Sequence, residues 1–206
     1  ALAWAGSLDY AAERAAMVRR LRKQGISNEH VLRAMGKVPR HLFVDDARRS
    51  QAYADVDIPL GSGYVMCSPY VVALMAQVLD PKPGTRILEV GTGSGYFSAV
   101  LAEITPQVYT VDMRAEVAAA ARTRLRALRS PVLSRTGPAC KGWPEAAPFD
   151  AIVVTCAAEG APEPLVAQLQ NGGRLVIPIG HGPEQTLNCM RKSSSESGPR
   201  LRSATV

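Results

Sequence analysis

Two acidic residues that accompany apolar runs are the residues of this sequence best placed to do chemistry. Glu89 precedes a loop with glycines at alternate positions (91–95), and Asp112 ends the aliphatic run 107–112. Glycine lets the chain turn sharply off a strand and lets a ligand lie against bare backbone, because no Cβ intrudes. A helix that begins at such a loop directs unpaired N–H groups toward the ligand. The pattern predicts a strand–loop–helix element that holds a nucleotide-like cofactor.

The spacing of the glycines distinguishes between cofactors. A dinucleotide fingerprint reads G-x-G-x-x-G and seats a pyrophosphate at the helix start, whereas this loop reads G-x-G-x-G after Glu89. An acidic residue there suits a cation, and S-adenosylmethionine carries an ammonium group and a sulfonium but no phosphate. Asp112, about 20 residues after the first glycine, can accept hydrogen bonds from both ribose hydroxyls. The sequence therefore predicts an S-adenosylmethionine site with these cofactor-binding residues: Glu89, Gly91, Thr92, Gly93, Ser94, Gly95, Asp112 and Met113.

The composition is that of one globular unit. The chain has 206 residues, and 47% of them are hydrophobic, which is enough to bury a core. No apolar run approaches the ~20 residues of a membrane span, and the first residues lack the basic segment of a signal peptide. The four cysteines are widely spaced and lie near no histidine pair, so neither a metal site nor a disulfide framework is expected. We expect a cytoplasmic protein with no membrane partner.

The net charge of +6 raises the question of an anionic partner. Much of this charge comes from arginines on predicted helices, where Arg122, Arg126 and Arg129 share one helical face. A solvated face with long side chains over apolar surface explains these arginines better than a nucleic-acid patch does. No aromatic residues are interleaved with them for base stacking. We therefore expect no nucleic-acid partner.

Hydrophobic periodicity predicts a helical N-terminal part. The predicted elements before residue 80 are helices over 8–24, 27–35 and 69–79 and a loop-rich segment over 55–68. Either Ser27 or Asn28 caps the second helix, and Pro69 takes the first position of the third. We expect residues 1–80 to form an N-terminal helical extension that includes the substrate loop.

From residue 86 onward, strands and helices alternate. The predicted strands cover 86–90, 107–112, 131–135, 149–155 and 174–179, the predicted helices 94–104, 115–129 and 162–170, and two strand-like runs, 185–191 and 200–206, flank a turn at 193–199. This alternation predicts an α/β fold with a doubly wound, mostly parallel sheet, in which ligands bind beyond the carboxyl ends of the strands. We expect residues 81–206 to form this domain as one compact unit.

Six segments of the chain resemble the protein-L-isoaspartate (D-aspartate) O-methyltransferase family. They are 38–44 (VPRHLFV), 50–53 (SQAY), 69–75 (PYVVALM), 89–96 (EVGTGSGY), 142–155 (GWPEAAPFDAIVVT) and 168–180 (QLQNGGRLVIPIG). The resemblance implies a class I, Rossmann-like methyltransferase with a seven-stranded sheet, acting as a monomer. It also implies methyl transfer from S-adenosylmethionine to the carboxylate of L-isoaspartyl residues in damaged proteins or peptides.

The loop over 61–69 departs from the family pattern. The family reads G-x-G-Q-T-I-S-Q-P there, with Thr and Ser hydroxyls that line the active site, whereas this chain reads GSGYVMCSP. Val65 takes the Thr position, and Cys67, whose thiol is a weak donor, takes the Ser position. The resemblance thus implies Cys67 and the adjacent Ser68 as catalytic candidates. The segment 137–139 (GPA) likewise lacks the Asp that the family uses to accept the adenine amino group.

Three functions are compatible with these residues. The first is methylation of isoaspartyl carboxylates, which need positioning and desolvation rather than a strong base, because the nucleophile is already anionic. The second is methylation of another acceptor, such as a peptide natural product, a small molecule or RNA, and the altered loop favours it. The third is S-adenosylmethionine binding without catalysis. We expect the first.

Overall fold

Helices dominate the N-terminal part of the chain, and strands alternate with helices after it. The computed structural model describes residues 9–61, 63–182, 184–193 and 200–205, so most of the predicted turn at 193–199 lies outside the described residues. The helices are α1 (Tyr10–Lys23), α2 (Glu29–Lys37), α3 (Pro69–Leu79), α4 (Tyr96–Ala102), α5 (Ala115–Ala127) and α6 (Glu163–Gln168). The strands are β1 (Ile58–Gly61), β2 (Tyr64–Met66), β3 (Ile87–Val90), β4 (Val108–Asp112), β5 (Leu133–Thr136), β6 (Phe149–Val154), β7 (Leu169–His181), β8 (Glu184–Ser193) and β9 (Arg200–Thr205). Among the described residues, no helix has the length and apolarity that a bilayer crossing requires.

Seven strands form one sheet in the order β5-β4-β3-β6-β7-β8-β9. The strands from β5 to β7 are parallel, and β8 and β9 add antiparallel pairs at one side. The predicted α/β fold with a doubly wound, mostly parallel seven-stranded sheet is confirmed. Because β3, β4 and β6 run in parallel, their carboxyl ends bring Glu89, Asp112 and Thr155 to the same edge.

Alternate residues of the central strands pack on opposite faces of the sheet, as the strand period of two requires. On one face, Ile87 and Val153 belong to a core cluster that includes side chains of α1 to α5. On the other face, Leu88 and Ile152 pack in a second cluster with Leu165 of α6. The first cluster contains residues from both sides of position 80, so the extension and the sheet share a core.

The predicted elements after residue 86 are all present, with shifted ends. The largest difference is in β7, which covers thirteen residues rather than the predicted 174–179. The helix predicted over 162–170 is correspondingly short, because the backbone is already extended at Leu169, with φ −74° and ψ 140°. Extended backbone therefore begins directly where α6 ends.

The segment 55–68 contains an antiparallel hairpin of β1 and β2, so the prediction of a loop there is wrong in part. Ile58 pairs with Met66, and both side chains are buried at the base of the hairpin. Gly61 and Gly63 have φ values of +86° and +80°, which glycine adopts without strain. The turn has no Asn-Gly or Asp-Gly pair, and a register shift near the tip breaks the strand alternation. These two features concealed the hairpin from pattern analysis.

A buried arginine connects the extension to the hairpin and to the sheet domain. Arg40 donates from Nε to the carbonyl oxygen of Ala52 at 2.7 Å and from a terminal nitrogen to that of Cys67 at 2.6 Å. Its guanidinium carbon lies 4.6 Å from the ring centre of Tyr96, the first residue of α4. One side chain therefore fixes the base of the hairpin and the first turn of α4.

Asn28 and Ser27 offer a matched test of how α2 begins. Asn28 Oδ1 accepts hydrogen bonds from the backbone N–H groups of His30 at 3.0 Å and Val31 at 3.3 Å. Asn28→Ala is expected to lower the free energy of unfolding by about 1 kcal/mol in urea denaturation, because two N–H groups lose their acceptor. Ser27→Ala is the control, and its expected change is below about 0.5 kcal/mol. Equal losses in both variants would contradict Asn28 as the cap.

Candidate active site

A cavity of about 450 Å³ lies at the carboxyl edge of the sheet, where parallel α/β sheets bind ligands. Its walls come from the hairpin, the glycine loop, α3, α4 and the ends of β4 and β6. The main lining segments are 63–67, 91–94, 112–113 and 155–157. The volume is within the usual range of small-molecule sites.

The glycine loop lies against the ends of two neighbouring elements. Gly91 has a φ of +100°, and a Cβ there would overlap the Thr155 hydroxyl, which donates to the Gly91 carbonyl oxygen at 2.8 Å. Gly95, with a φ of +87°, is the N-cap of α4, and a Cβ there would come within 3.3 Å of Ala121 on α5. At Gly93, by contrast, a Cβ would meet no described residue within 4 Å apart from its chain neighbours. The outer glycines are therefore required for packing, and the middle one leaves room for a ligand.

Glu89 is fully buried and lines the floor of the cavity. Its Oε2 accepts a hydrogen bond from the Ser98 hydroxyl, whereas Oε1 has no hydrogen-bond partner among the described residues. Burial, and to a smaller extent the Asp112 charge, raise the pKa of this carboxyl to about 8, although the Ser98 and Thr110 hydroxyls act in the opposite direction. A buried carboxyl with one oxygen lacking a donor favours a cationic group beside it.

Asp112 is also buried, but its carboxylate has several donors. Oδ1 accepts from the Tyr64 hydroxyl at 2.9 Å and from the Arg114 backbone N–H at 3.1 Å. Oδ2 accepts from the Gly93 backbone N–H at 3.1 Å. Burial, and secondly the hydrogen bond to Asp112, raise the pKa of Tyr64 to about 12, so its hydroxyl is protonated at neutral pH. The tip of the hairpin is thereby bonded to the end of β4.

The two catalytic candidates occupy different environments. Cys67 lines the cavity, and burial raises the pKa of its thiol above the ordinary value. Val65 lines the same wall with an aliphatic side chain. Ser68 lies outside the lining segments and is the N-cap of α3, where its hydroxyl oxygen accepts from the Val71 N–H at 3.4 Å. Of the two candidates, Cys67 lines the cavity and Ser68 does not.

The structure brings seven of the eight predicted cofactor residues to the cavity wall, and Gly95 lies beneath the loop. Their roles stay predictions. Sequence reasoning missed Tyr64, Phe97 and Gln185, which also line the cavity. Tyr64 carried a signal, because it stands where the family pattern has Gln. No sequence signal marked Gln185, because it is the pairing of β8 with β7 that places this residue at the cavity wall.

The fold and this site together define a class I S-adenosylmethionine-dependent methyltransferase. A solved protein-L-isoaspartate O-methyltransferase superposes with a TM-score of 0.81 and 25% identity, covering 93% of this chain and 63% of that chain. A Plasmodium falciparum protein solved in complex with S-adenosyl-L-homocysteine gives a TM-score of 0.77 at 22% identity, covering 94% of both chains. The chain belongs to the protein-L-isoaspartate (D-aspartate) O-methyltransferase family, whose model matches residues 12–202.

Curated relatives agree with the family assignment. The protein-L-isoaspartate O-methyltransferase of Hahella chejuensis is 46% identical over 185 residues, covering 87% of this chain and 86% of its own length. That of Methylorubrum extorquens is 49% identical over 180 residues, covering 87% of this chain and 79% of its own length. The predictions of a methyltransferase and of S-adenosylmethionine as its cofactor are confirmed.

The raised pKa of Glu89 predicts how the stability of the protein without added cofactor depends on pH. The folded chain holds a proton on this carboxyl that the unfolded chain has already lost, so stability falls as pH rises from about 4.5 to about 8. Glu89→Gln is expected to remove this fall, which amounts to a few kcal/mol in order of magnitude. Urea denaturation across that pH range measures it. Glu103→Gln, at the surface, is the control and should keep the wild-type slope. If stability falls with pH as steeply in Glu89→Gln as in the wild type, Glu89 is not the cause of the fall.

Proposed function

We propose that this protein transfers the methyl group of S-adenosylmethionine to the carboxylate of L-isoaspartyl residues in damaged proteins. The observation that carries the proposal is the match of residues 12–202 to the model of a family with this activity. The matched range includes the hairpin, the glycine loop and the end of β6, which form the cavity. The family match therefore includes the residues proposed to bind the methyl donor and those proposed to contact the acceptor.

Glu89 and Asp112 hold the cofactor in this proposal. The Oε1 atom of Glu89, which has no donor in the described part of the chain, suits the ammonium group. The Asp112 carboxylate suits the ribose hydroxyls. The donor set therefore fits this cofactor, which supplies an electrophilic methyl group on a sulfonium. The other residues assigned to it are Gly91, Thr92, Gly93, Ser94, Gly95 and Met113.

The acceptor carboxylate needs orientation and a dry environment, because it is already anionic. Val72, Met75 and Phe97 give the cavity apolar walls that remove water from a carboxylate held there. Holding the attacking oxygen near the methyl group supplies much of the rate enhancement. We assign contact with the acceptor to Cys67, with Ser68 as the second catalytic candidate.

A second candidate function is methylation of a different acceptor. The observation that favours it is that Val65 and Cys67 line the cavity at the positions where the family pattern has Thr and Ser. An aliphatic group and a weakly donating thiol bind a carboxylate less well than two hydroxyls do. An acceptor that needs fewer hydrogen bonds would suit this wall better.

The proposal places the enzyme in the cytoplasm as a monomer that acts on proteins and not on nucleic acids. All four cysteines are free, which is usual in a reducing compartment. Several surface arginines are paired with carboxylates of this chain, such as Arg22 with Glu29 and Arg135 with Glu145. Paired arginines leave less positive charge for a phosphate backbone.

Paired peptides that differ only in Asp or isoAsp test the proposed function. With labelled S-adenosylmethionine, the isoAsp peptide is expected to gain a base-labile methyl ester, and the Asp peptide is not. Methanol released at alkaline pH measures the ester. Cofactor binding without methylation of either peptide would leave the second candidate function or a non-catalytic binding protein.

Glu89→Gln is expected to lower cofactor affinity at least about tenfold, because the ammonium group loses its carboxylate.

Changing the hairpin wall tests the acceptor contact. Val65→Thr combined with Cys67→Ser is expected to raise kcat/KM for the isoAsp peptide by about tenfold, because each hydroxyl adds a donor to the carboxylate. Initial-rate measurements at several peptide concentrations provide the value. Cys189→Ser, which makes the same exchange on β8 outside the lining segments, is the control. An unchanged rate in the double variant contradicts this account of the wall.

A further inference from the structure

The Asp112 carboxylate has more donors than a site reserved for ribose would need. Three donors from the described residues contact it: the Tyr64 hydroxyl and the Arg114 N–H on Oδ1, and the Gly93 N–H on Oδ2. An ionised carboxylate offers roughly four lone-pair positions. Both positions on Oδ1 are therefore occupied by groups of this chain, and one position on Oδ2 remains.

A ribose diol that binds one carboxylate through both hydroxyls places a donor on each oxygen. In this structure Oδ2 can accept one of them, but Oδ1 can accept the other only if one of its donors leaves. The Arg114 N–H belongs to the backbone two residues after Asp112, and the first turn of α5 begins at Ala115. Its position is set by the backbone that joins β4 to α5. The Tyr64 hydroxyl belongs to a side chain, which can rotate away from Asp112 without a change in that backbone.

The two ends of the hairpin are held to different degrees. At the base, Ile58 and Met66 are buried, and Arg40 donates to the carbonyl oxygen of Cys67 at 2.6 Å. Toward the tip, Gly61 and Gly63 adopt positive φ values, and a Cβ at either would meet no atom of the described residues within 4 Å apart from its chain neighbours. The hydrogen bond of Tyr64 connects this end of the hairpin to β4.

We infer that the Tyr64 hydroxyl occupies the position of one ribose hydroxyl on Asp112 and competes with the cofactor for it. The inference rests on the proposed function, because it takes Asp112 as the ribose acceptor. Cofactor binding then requires the exchange of one hydrogen bond for another at Oδ1. Tyr64 thereby lowers the affinity of the site for both S-adenosylmethionine and its demethylated product, and its hydrogen bond to Asp112 breaks when either one binds.

Calorimetric titration with S-adenosylhomocysteine tests the competition without relying on turnover. Tyr64→Phe is expected to bind this ligand about tenfold more tightly than the wild type, because the competing hydroxyl is gone and the ring remains. Tyr109→Phe, on the same strand as Asp112 and outside the lining segments, is the control and should bind as the wild type does. Tyr64→Leu gives the same test if the Phe variant does not fold.

An analogue of the ligand that lacks both ribose hydroxyls separates competition from other effects of the substitution. It cannot use Oδ1, so its affinity is expected to be equal in the wild type and in Tyr64→Phe. Equal or weaker binding of the complete ligand by Tyr64→Phe would overturn the inference, and so would an equal gain for the analogue. Failure of the wild type to bind S-adenosylhomocysteine at all would instead overturn the proposed cofactor site.

Discussion

A carboxyl group buried at the end of a central strand is the constraint on which the site depends. Glu89 lies on β3, between two neighbouring strands of the sheet, and its side chain is fully buried. The Ser98 hydroxyl of α4 donates to one oxygen, and the other has no donor among the described residues. Burial disfavours the charged form, which a nearby cation restores. The sheet therefore maintains a binding site at a cost to its own stability.

The second buried carboxylate, Asp112, shows the opposite arrangement. Where Oε1 of Glu89 lacks a donor among the described residues, Asp112 has one from each of three segments: the hairpin, the glycine loop and the connection to α5. A cation suits Glu89 because it supplies the partner that Oε1 lacks among the described residues. A diol at Asp112 must replace a hydrogen bond that is already present. In the proposed cofactor site, the two ends of the cavity would contribute in different ways, Glu89 to the strength of cofactor binding and Asp112 to its coupling with the hairpin.

The parts of the site that depend on local sequence could be predicted, and the parts that depend on pairing could not. Glu89, Asp112 and the glycine loop follow directly from strands whose apolar runs are continuous, because strands buried on both faces leave a clear pattern. The hairpin, with its register shift and unusual turn, gives no such pattern. Gln185 reaches the cavity only through an antiparallel pairing, and the role of Tyr64 as a donor depends on a contact 48 residues away in sequence. Long-range contacts of that kind are not encoded in periodicity.

The contacts of Arg40 limit how this protein can be recombined with its relatives. Its guanidinium bonds to carbonyl oxygens at Ala52 and Cys67 and lies over the ring of Tyr96, so three separate segments are shaped around one side chain. A chimera that exchanges the extension at residue 80 would keep Arg40, Ala52 and Cys67 together but separate them from Tyr96. Crossovers placed after α4 would transfer the whole set. The segments around Ala52, Cys67 and the start of α4 are therefore inherited together as one structural block around Arg40.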